Sequence, residues 1–382
     1  MSKYRWRSAA IAILVCPLLS AQDRTSTAGN AHPFAKTFQP FLDDHSMAGA
    51  VFLVADRTKV LDEETIGYAD LATKRPMRTN QEFWIASMSK SFAGTALMML
   101  VDEGKVKIDD PVEKYLPEFR NLMVQTPSGL VAANHPILVR EILSHTSGIA
   151  KEPDNRGIPL AEQVKATAKT PLQSQPGTKY LYTNPGINTV GRIVEVASGM
   201  PYEQFLQERI FTPLGMKDTT FWPNDEQKSR LATAYHTDEK TGEQTALPAF
   251  ALPDATYPKV YAWPSAGLFS TASDILKFCQ MLLNGGEAGG HRYLSQAAID
   301  TMSRTYTTPA TGGSYGLGWQ IEPNGYLHQG AFLTRMMIEP RNGLVEILMT
   351  QIVAPFTPRQ LKVTGEFTHV ADQAFAPAPN NP

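Results

Sequence analysis

The sequence predicts an α/β chain of the α+β kind. An antiparallel sheet is drawn from both ends of the chain and flanked by helices, and a mostly helical lobe is inserted between them. Three observations predict this. Ala48 to Ala55 and Val60 to Ala69 are apolar runs joined by a polar turn at Asp56 to Lys59, which reads as a hairpin. Near the other end, Tyr315 to Glu322, Ala331 to Glu339 and Leu344 to Gln351 are rich in β-branched and apolar residues, and Pro340-Arg341-Asn342-Gly343 makes a turn between the last two. From Asp110 to about Gly312, helical patterns such as Asn188 to Ser198 and Tyr202 to Phe211 alternate with proline-rich loops. Strands follow strands, which argues against a doubly wound parallel sheet. The expected domain runs from 34 to 352. Its sheet lobe takes in about 34–110 and 313–375, and its helical lobe about 111–312.

Between the hairpin and the helical lobe, Phe83 to Val101 reads as one long helix ended by Glu103-Gly104 and Pro111. It is apolar on every side, so it is expected to be buried between layers. Ala272 to Leu283 is amphipathic and reads as a second helix, and a last helix is expected over Gly365 to Phe375. Ala376 to Pro382 reads as a frayed end.

The chain has 382 residues, 42% of them hydrophobic, enough to bury a full core. Its formal net charge is −2 and no basic cluster lies beyond the first seven residues, which excludes nucleic acid as a partner. Lys3, Arg5 and Arg7 precede an apolar run from Ala9 to Leu19 and the small residues Ser20 and Ala21. That order is an export signal over residues 1–21, with a periplasmic or secreted destination. The run is short for a membrane span, so no stable span is expected after cleavage; a retained anchor is the alternative. Bulky Val15 argues against lipid attachment at Cys16. Loss of Cys16 leaves Cys279 alone, hence no internal disulfide, and Cys279 reads as a buried structural thiol. The eight histidines are scattered and no two stand at ligand spacing on a helix. Neither metal nor cofactor is expected.

Three short motifs carry chemistry. In Ser87-Met88-Ser89-Lys90, residues three apart share a helix face, so Ser87 and Lys90 point into one space. A serine hydroxyl needs something to remove its proton, and a lysine amine does so if burial lowers its pKa. Phe83, Trp84, Ile85, Phe92 and Ala93 supply that burial. A helix start also offers unsatisfied N–H groups to an oxyanion. Alone, the motif equally fits a helix-capping serine followed by a solvated lysine. Tyr182-Thr183-Asn184 sits in a loop between Pro176-Gly177 and Pro185-Gly186. A tyrosinate beside a lysine ammonium serves as general base for serine and then for water, and Asn184 suits a substrate amide or carbonyl. An ordinary turn tyrosine fits the same residues. His328-Gln329-Gly330 stands at the entry to the run Ala331 to Glu339. There Gly330 permits close approach of substrate, His328 presents a polar or cationic group to the pocket, and the Ala331 N–H is a second oxyanion donor. A structural histidine at a strand end fits equally.

Taken in order, Ser-x-x-Lys, Tyr-x-Asn and His-x-Gly before a late strand resemble the beta-lactamase (class C type) and penicillin-binding-protein-like serine hydrolases. That family includes D-Ala-D-Ala carboxypeptidases, D-aminopeptidases and family VIII esterases. The resemblance runs from about Phe34 to Gln351. It takes in Ile142-Leu143-Ser144-His145-Thr146-Ser147-Gly148, Pro176-Gly177-Thr178, Pro213-Leu214-Gly215-Met216 and Gly267-Leu268-Phe269-Ser270-Thr271. It implies the two-lobed beta-lactamase/transpeptidase-like fold and Ser87 as acyl-forming nucleophile, with Lys90 and Tyr182 as its base system. It also implies Asn184 as substrate contact and His328 to Gly330 as the pocket strand. The implied substrate is a small ester, amide or D-amino-acid peptide. His145 belongs to a matching phrase and is taken as a structural, hydrogen-bonded histidine.

Lys240-Thr241-Gly242 spells the third motif of true beta-lactamases, but it lies in a polar stretch, Tyr235 to Thr245, that reads as a hairpin turn. With His328-Gln329-Gly330 in that role, the permanent cation for a substrate carboxylate is absent, which moves the resemblance toward peptidases and esterases. Arg335, on the same run, is a possible replacement cation whose facing is left open by strand alternation. The readings are ordered as a broad acyl hydrolase first, a D-Ala-D-Ala carboxypeptidase or slowly deacylating penicillin sensor second, and a true beta-lactamase third.

Overall fold

The hairpin forms where the apolar runs place it. In the computed structural model, which describes residues 32–150, 158–247 and 262–377, β1 (Gly49–Asp56) pairs antiparallel with β2 (Val60–Asp70). The export signal over 1–21, with Cys16, lies outside the described residues, as does the tail from 378. β2 continues to a two-residue β3 (Arg75–Pro76). Four strands from the far end of the chain complete the sheet: β4 (Gln320–Glu322), β5 (Gly325–Gln329), β6 (Arg335–Glu339) and β7 (Leu344–Met349). The order is β4-β5-β6-β7-β1-β2-β3, antiparallel at every step. The two chain ends therefore meet at the β7–β1 pair, where Val51 faces Met349 and Asp56 faces Leu344.

Both faces of the sheet are covered, so β1, β6 and β7 are buried almost throughout, without alternation. On one face lie α1 (Pro33–Asp43) and the last helix, α5 (Val363–Phe375), stacking Phe34 and Phe38 on Phe52 with Phe367 alongside. On the other, α4 (Ala272–Leu283) packs on β1, β6 and β7, and behind it α2 (Ser89–Asp102) contacts α3 (Asn184–Ser198). Although α4 falls within the span assigned to the helical lobe, it belongs to the layer that covers the sheet. Cys279, on α4, is fully buried and burial pushes its thiol far above the ordinary range, as a structural cysteine requires. Among the described residues no helix is long and apolar enough to cross a membrane.

Four element boundaries differ from the sequence expectation, each for a local reason. The helix expected from Phe83 begins only at Ser89. Phe83–Trp84 pairs instead with Phe269–Ser270, and Ile85 N–H donates to the Leu268 carbonyl at 3.0 Å. Tyr315 to Trp319 is bent rather than extended: Gly318 has φ +87°, and a Cβ on Gly316 would sit 2.3 Å from the Met302 carbonyl oxygen. The run Ala331 to Glu339 is a strand only from Arg335, because 330–334 is the turn joining β5 to β6, with Leu333 at φ +58°. Last, α3 starts at Asn184, four residues early. Thr183 caps it by accepting the Gly186 N–H at 3.2 Å, so Pro185-Gly186 is the helix's first turn.

Candidate active site

Ser87 occupies the middle of a tight turn, Ala86–Met88, between the strand pair and α2. Ala86 is held at φ +43°, in the left-handed region that costs an alanine about 1 kcal/mol. Ser89 secures the turn by donating its hydroxyl to the Ala86 carbonyl at 2.6 Å and accepting the Leu268 N–H at 3.1 Å. One residue on, in the first turn of α2, Lys90 is fully buried. Its Nζ lies 3.0 Å from Ser87 Oγ, 2.8 Å from Asn184 Oδ1 and 2.8 Å from the Ser265 carbonyl oxygen. The last two only accept, so each takes an N–H. Toward Ser87, Nζ then presents either a third N–H or, as the neutral amine, its lone pair. The second form can take the serine proton. Asn184, expected to contact substrate, is thus committed through Oδ1 to holding Lys90.

Tyr182 leans over the same pair. Lys90 Nζ is 4.8 Å from its ring centroid, and the Ser87 side chain acts on its hydroxyl. Burial pushes the phenol well above its ordinary value, outweighing the opposing pull of Ser87. Tyr182 is therefore a neutral phenol at rest, not the tyrosinate expected from the sequence. Against its ring lies His145, at 4.4 Å between centroids. His145 Nδ1 accepts the Thr183 N–H at 3.3 Å, and burial, with Lys90 second, holds the imidazole neutral. It is the structural, hydrogen-bonded histidine that was expected.

His328 lies at the end of β5 rather than at the entry to the following strand, and it is almost wholly buried. Nδ1 is 2.9 Å from the Gln329 carbonyl oxygen and Nε2 2.8 Å from the Tyr315 hydroxyl. Burial, reinforced by Lys90, pushes its pKa down to about 3. Of the two alternatives, polar or cationic, His328 is the polar one: a neutral imidazole, and an enclosed one. At Gly330 a Cβ would meet Thr334 Oγ1 at 2.1 Å and the Ile85 carbonyl oxygen at 2.5 Å. The backbone two residues before Ser87 makes a close approach there. Gly330 N–H to Thr334 O and Leu333 N–H to Gly330 O close the turn around exposed Ala331, whose own N–H takes part in neither bond.

Arg335 faces away from Ser87. It alternates with Met336, lies on the α5 side of the sheet among Glu339 and Glu346, and supplies no cation to the site. Lys240-Thr241-Gly242 is an exposed hairpin turn in which Asp238 accepts the Lys240 and Thr241 N–H groups. Two participants escaped the sequence reading. Ser265 acts through a backbone carbonyl, which carries no side-chain signal. Tyr315 had one, an aromatic residue ahead of Gly316-Leu317-Gly318, but it was absorbed into an expected strand. Beside the site, Trp84 packs at 4.8 Å from Phe332 and 6.4 Å from Trp263.

An antiparallel sheet drawn from both ends of the chain and covered on both faces by helices is the architecture of the beta-lactamase/transpeptidase fold. The chain belongs to the beta-lactamase family: the family model described as "Beta-lactamase" matches residues 34–366. Members of this family are serine hydrolases. A Mycobacterium tuberculosis protein described as uncharacterised is 34% identical over 273 residues, covering 67% of each chain. A candidate D-alanyl-D-alanine carboxypeptidase of Salmonella agona is 29% identical over 308 residues, covering 71% of this chain and 69% of its own. Among solved structures, EstCE1, described as a hydrolase with promiscuous acyltransferase activity, matches with a TM-score of 0.72 at 24% identity, covering 90% of this chain and 98% of its own. The simvastatin synthase LovD from Aspergillus terreus matches with a TM-score of 0.74 at 21% identity, covering 90% and 99%. At these identities the two structures establish the fold alone.

Proposed function

We propose that the protein is a serine acyl hydrolase that opens ester carbonyls through an acyl-enzyme on Ser87. The observation that carries this reading is the placement of Lys90 Nζ, 3.0 Å from Ser87 Oγ and held by two obligate acceptors. As Oγ attacks, its proton passes to the Lys90 amine. The oxyanion rests between the N–H groups of Ser87 and Ala331. Tyr182, protonated at rest, gives its proton to the leaving alkoxide and becomes the base that draws a proton from the hydrolytic water. Lys90 returns its proton to Ser87 as the acid departs, and the cycle closes with one water consumed. Every step uses groups of the chain itself, so no metal or cofactor enters. In this reading the signal over residues 1–21 delivers the enzyme to the periplasm or beyond, where small-molecule esters, amides or peptides reach it.

A D-Ala-D-Ala carboxypeptidase or slowly deacylating penicillin-binding protein is the second reading, favoured by the likeness to the Salmonella protein. Neutral His328 weighs against it, since a peptide's terminal carboxylate meets no cation there. Intact-mass spectrometry after incubation with p-nitrophenyl butyrate, and separately with penicillin, separates the two. Nitrophenol release with no lasting adduct supports the esterase, and a stable penicilloyl adduct on Ser87 supports the second reading. Ser87→Ala is expected to abolish turnover; a Ser87→Ala protein that hydrolyses the ester at the wild-type rate overturns both.

A further inference from the structure

Tyr315 lies outside the three motifs, yet it is fully buried and its hydroxyl has a definite task. The Gln329 carbonyl oxygen, 2.9 Å from His328 Nδ1, can only accept, so Nδ1 carries a hydrogen. In the neutral ring Nε2 is then a lone pair, and the Tyr315 O–H, 2.8 Å away, donates to it. Protonating Nε2 would reverse that bond and leave the buried Tyr315 O–H seeking another acceptor. The groups around the pair make reversal harder. Lys90 faces it from α2, His145 from the loop after the helix Val139–Leu143, and the Tyr180 and Tyr182 rings from the loop before α3. None of these offers a negative charge.

We infer that Tyr315 is a positioning residue that locks His328 as the neutral Nδ1–H tautomer, and that this lock restricts the Ser87 site to substrates whose acyl chain carries no carboxylate. The inference rests on the acyl-hydrolase reading and adds a substrate class to it. Its physical basis is a mismatch of charge. Among the described residues, the basic group these contacts bring to Ser87 is Lys90, and its Nζ is engaged by Ser87, Asn184 and the Ser265 carbonyl. Arg335 is on the far side of the sheet. A carboxylate on the acyl chain would lose its hydration and gain no counter-ion, whereas an apolar chain can lie against the Trp84, Trp263 and Phe332 rings.

The test compares two esters with the same leaving group, p-nitrophenyl butyrate and the mono-p-nitrophenyl ester of glutaric acid, from pH 5.5 to 8. The wild type is expected to prefer butyrate by about a hundredfold in kcat/KM, the scale of a polar group desolvated without a partner, with little change across that range. In Tyr315→Phe, which keeps the ring but removes the donor, His328 can be protonated at low pH. The preference then shrinks by about tenfold between pH 8 and 5.5, through the KM of the glutarate ester. Proton–nitrogen NMR of the imidazoles, with His328→Gln to identify the signal, reads the lock without turnover. The wild-type ring is expected as the Nδ1–H tautomer, untitrated above pH 5, and Tyr315→Phe raises its midpoint. A wild-type His328 that titrates near pH 6.5, an Nε2–H tautomer, or a Tyr315→Phe protein unchanged in both preference and midpoint overturns the inference. If neither ester is turned over while the ring behaves as stated, the acyl-hydrolase reading fails instead.

Discussion

Replacing Glu82 with glutamine is expected to stabilise the protein, by an amount that grows with pH. Glu82 immediately precedes the segment that carries Ser87, and its backbone is tied to Arg230 and Ala232. Its side chain is fully buried, with no hydrogen bond to either carboxyl oxygen among the described residues. Arg230 Nη1 stands 3.8 Å away, but that guanidinium is spent on Asp218 at 2.5 Å and Glu226 at 2.6 Å. Burial, with Asp218 adding to it and Arg230 opposing, pushes the Glu82 carboxyl up to about 9. The folded protein thus holds a proton that the unfolded chain, with an ordinary value of 4.5, releases. Stability from this group is present below about pH 4.5 and is lost as pH rises toward 9, at about 1.4 kcal/mol per pH unit. At pH 7 the loss is about 3 kcal/mol, and glutamine, neutral at every pH, removes it. Urea unfolding of wild type and Glu82→Gln at pH 5 and pH 8 measures this, because the difference between the two proteins cancels other titrations. A Glu82→Gln protein less stable than wild type at pH 8 refutes the reasoning: it would mean that Glu82 is ionised and paired with Arg230.

Two further outcomes test the site. Lys90→Met leaves Asn184 Oδ1 and the Ser265 carbonyl without their donor, and kcat is expected to fall by about 10²–10⁴-fold, the range for a lost general base, in single-turnover ester assays. Gly330→Ala drives a methyl into Thr334 Oγ1 and the Ile85 carbonyl; a loss of about 1–3 kcal/mol in urea unfolding and a drop in kcat larger than that in substrate binding are expected, since the displaced backbone carries Ser87.

Features fixed by local periodicity were legible in the sequence. The hairpin, the buried helix ending at Asp102, the amphipathic helix over Ala272 to Leu283 and the return of strands after Gly312 all follow from the spacing of apolar residues. Boundaries failed where tertiary contacts override propensity. Phe83 and Trp84 are claimed by Phe269–Ser270, nearly two hundred residues away in sequence, and Gly316 is bent by the Met302 carbonyl. Site residues were legible as types, while the burial of His328 and the protonation of Tyr182 were not. Nothing near His328 in the sequence reports that Lys90 faces it or that Tyr315 donates to it, and nothing near Tyr182 reports the burial that keeps it protonated.

The same distinction bears on Asn184, which the sequence offered as a substrate contact. An asparagine two residues after a tyrosine in a loop offers both a donor and an acceptor, and either can be imagined facing outward. Once α3 starts at Asn184 itself, capped by Thr183, the side chain is fixed against α2, and its oxygen meets Lys90. A carboxylate at that position would hold a proton on Nζ as half of an ion pair. An amide oxygen, like the Ser265 carbonyl opposite, accepts an N–H from either protonation state of the lysine. The pair orients Nζ toward Ser87 without fixing its charge, which is what a group that must first take and then return a proton requires. Asn184→Asp therefore tests the arrangement more sharply than removal of the side chain. The aspartate keeps the oxygen and the shape, so a fall in kcat with retained stability would trace the activity to the freedom of the lysine proton, and an unchanged kcat would show that the neutrality of this acceptor is incidental.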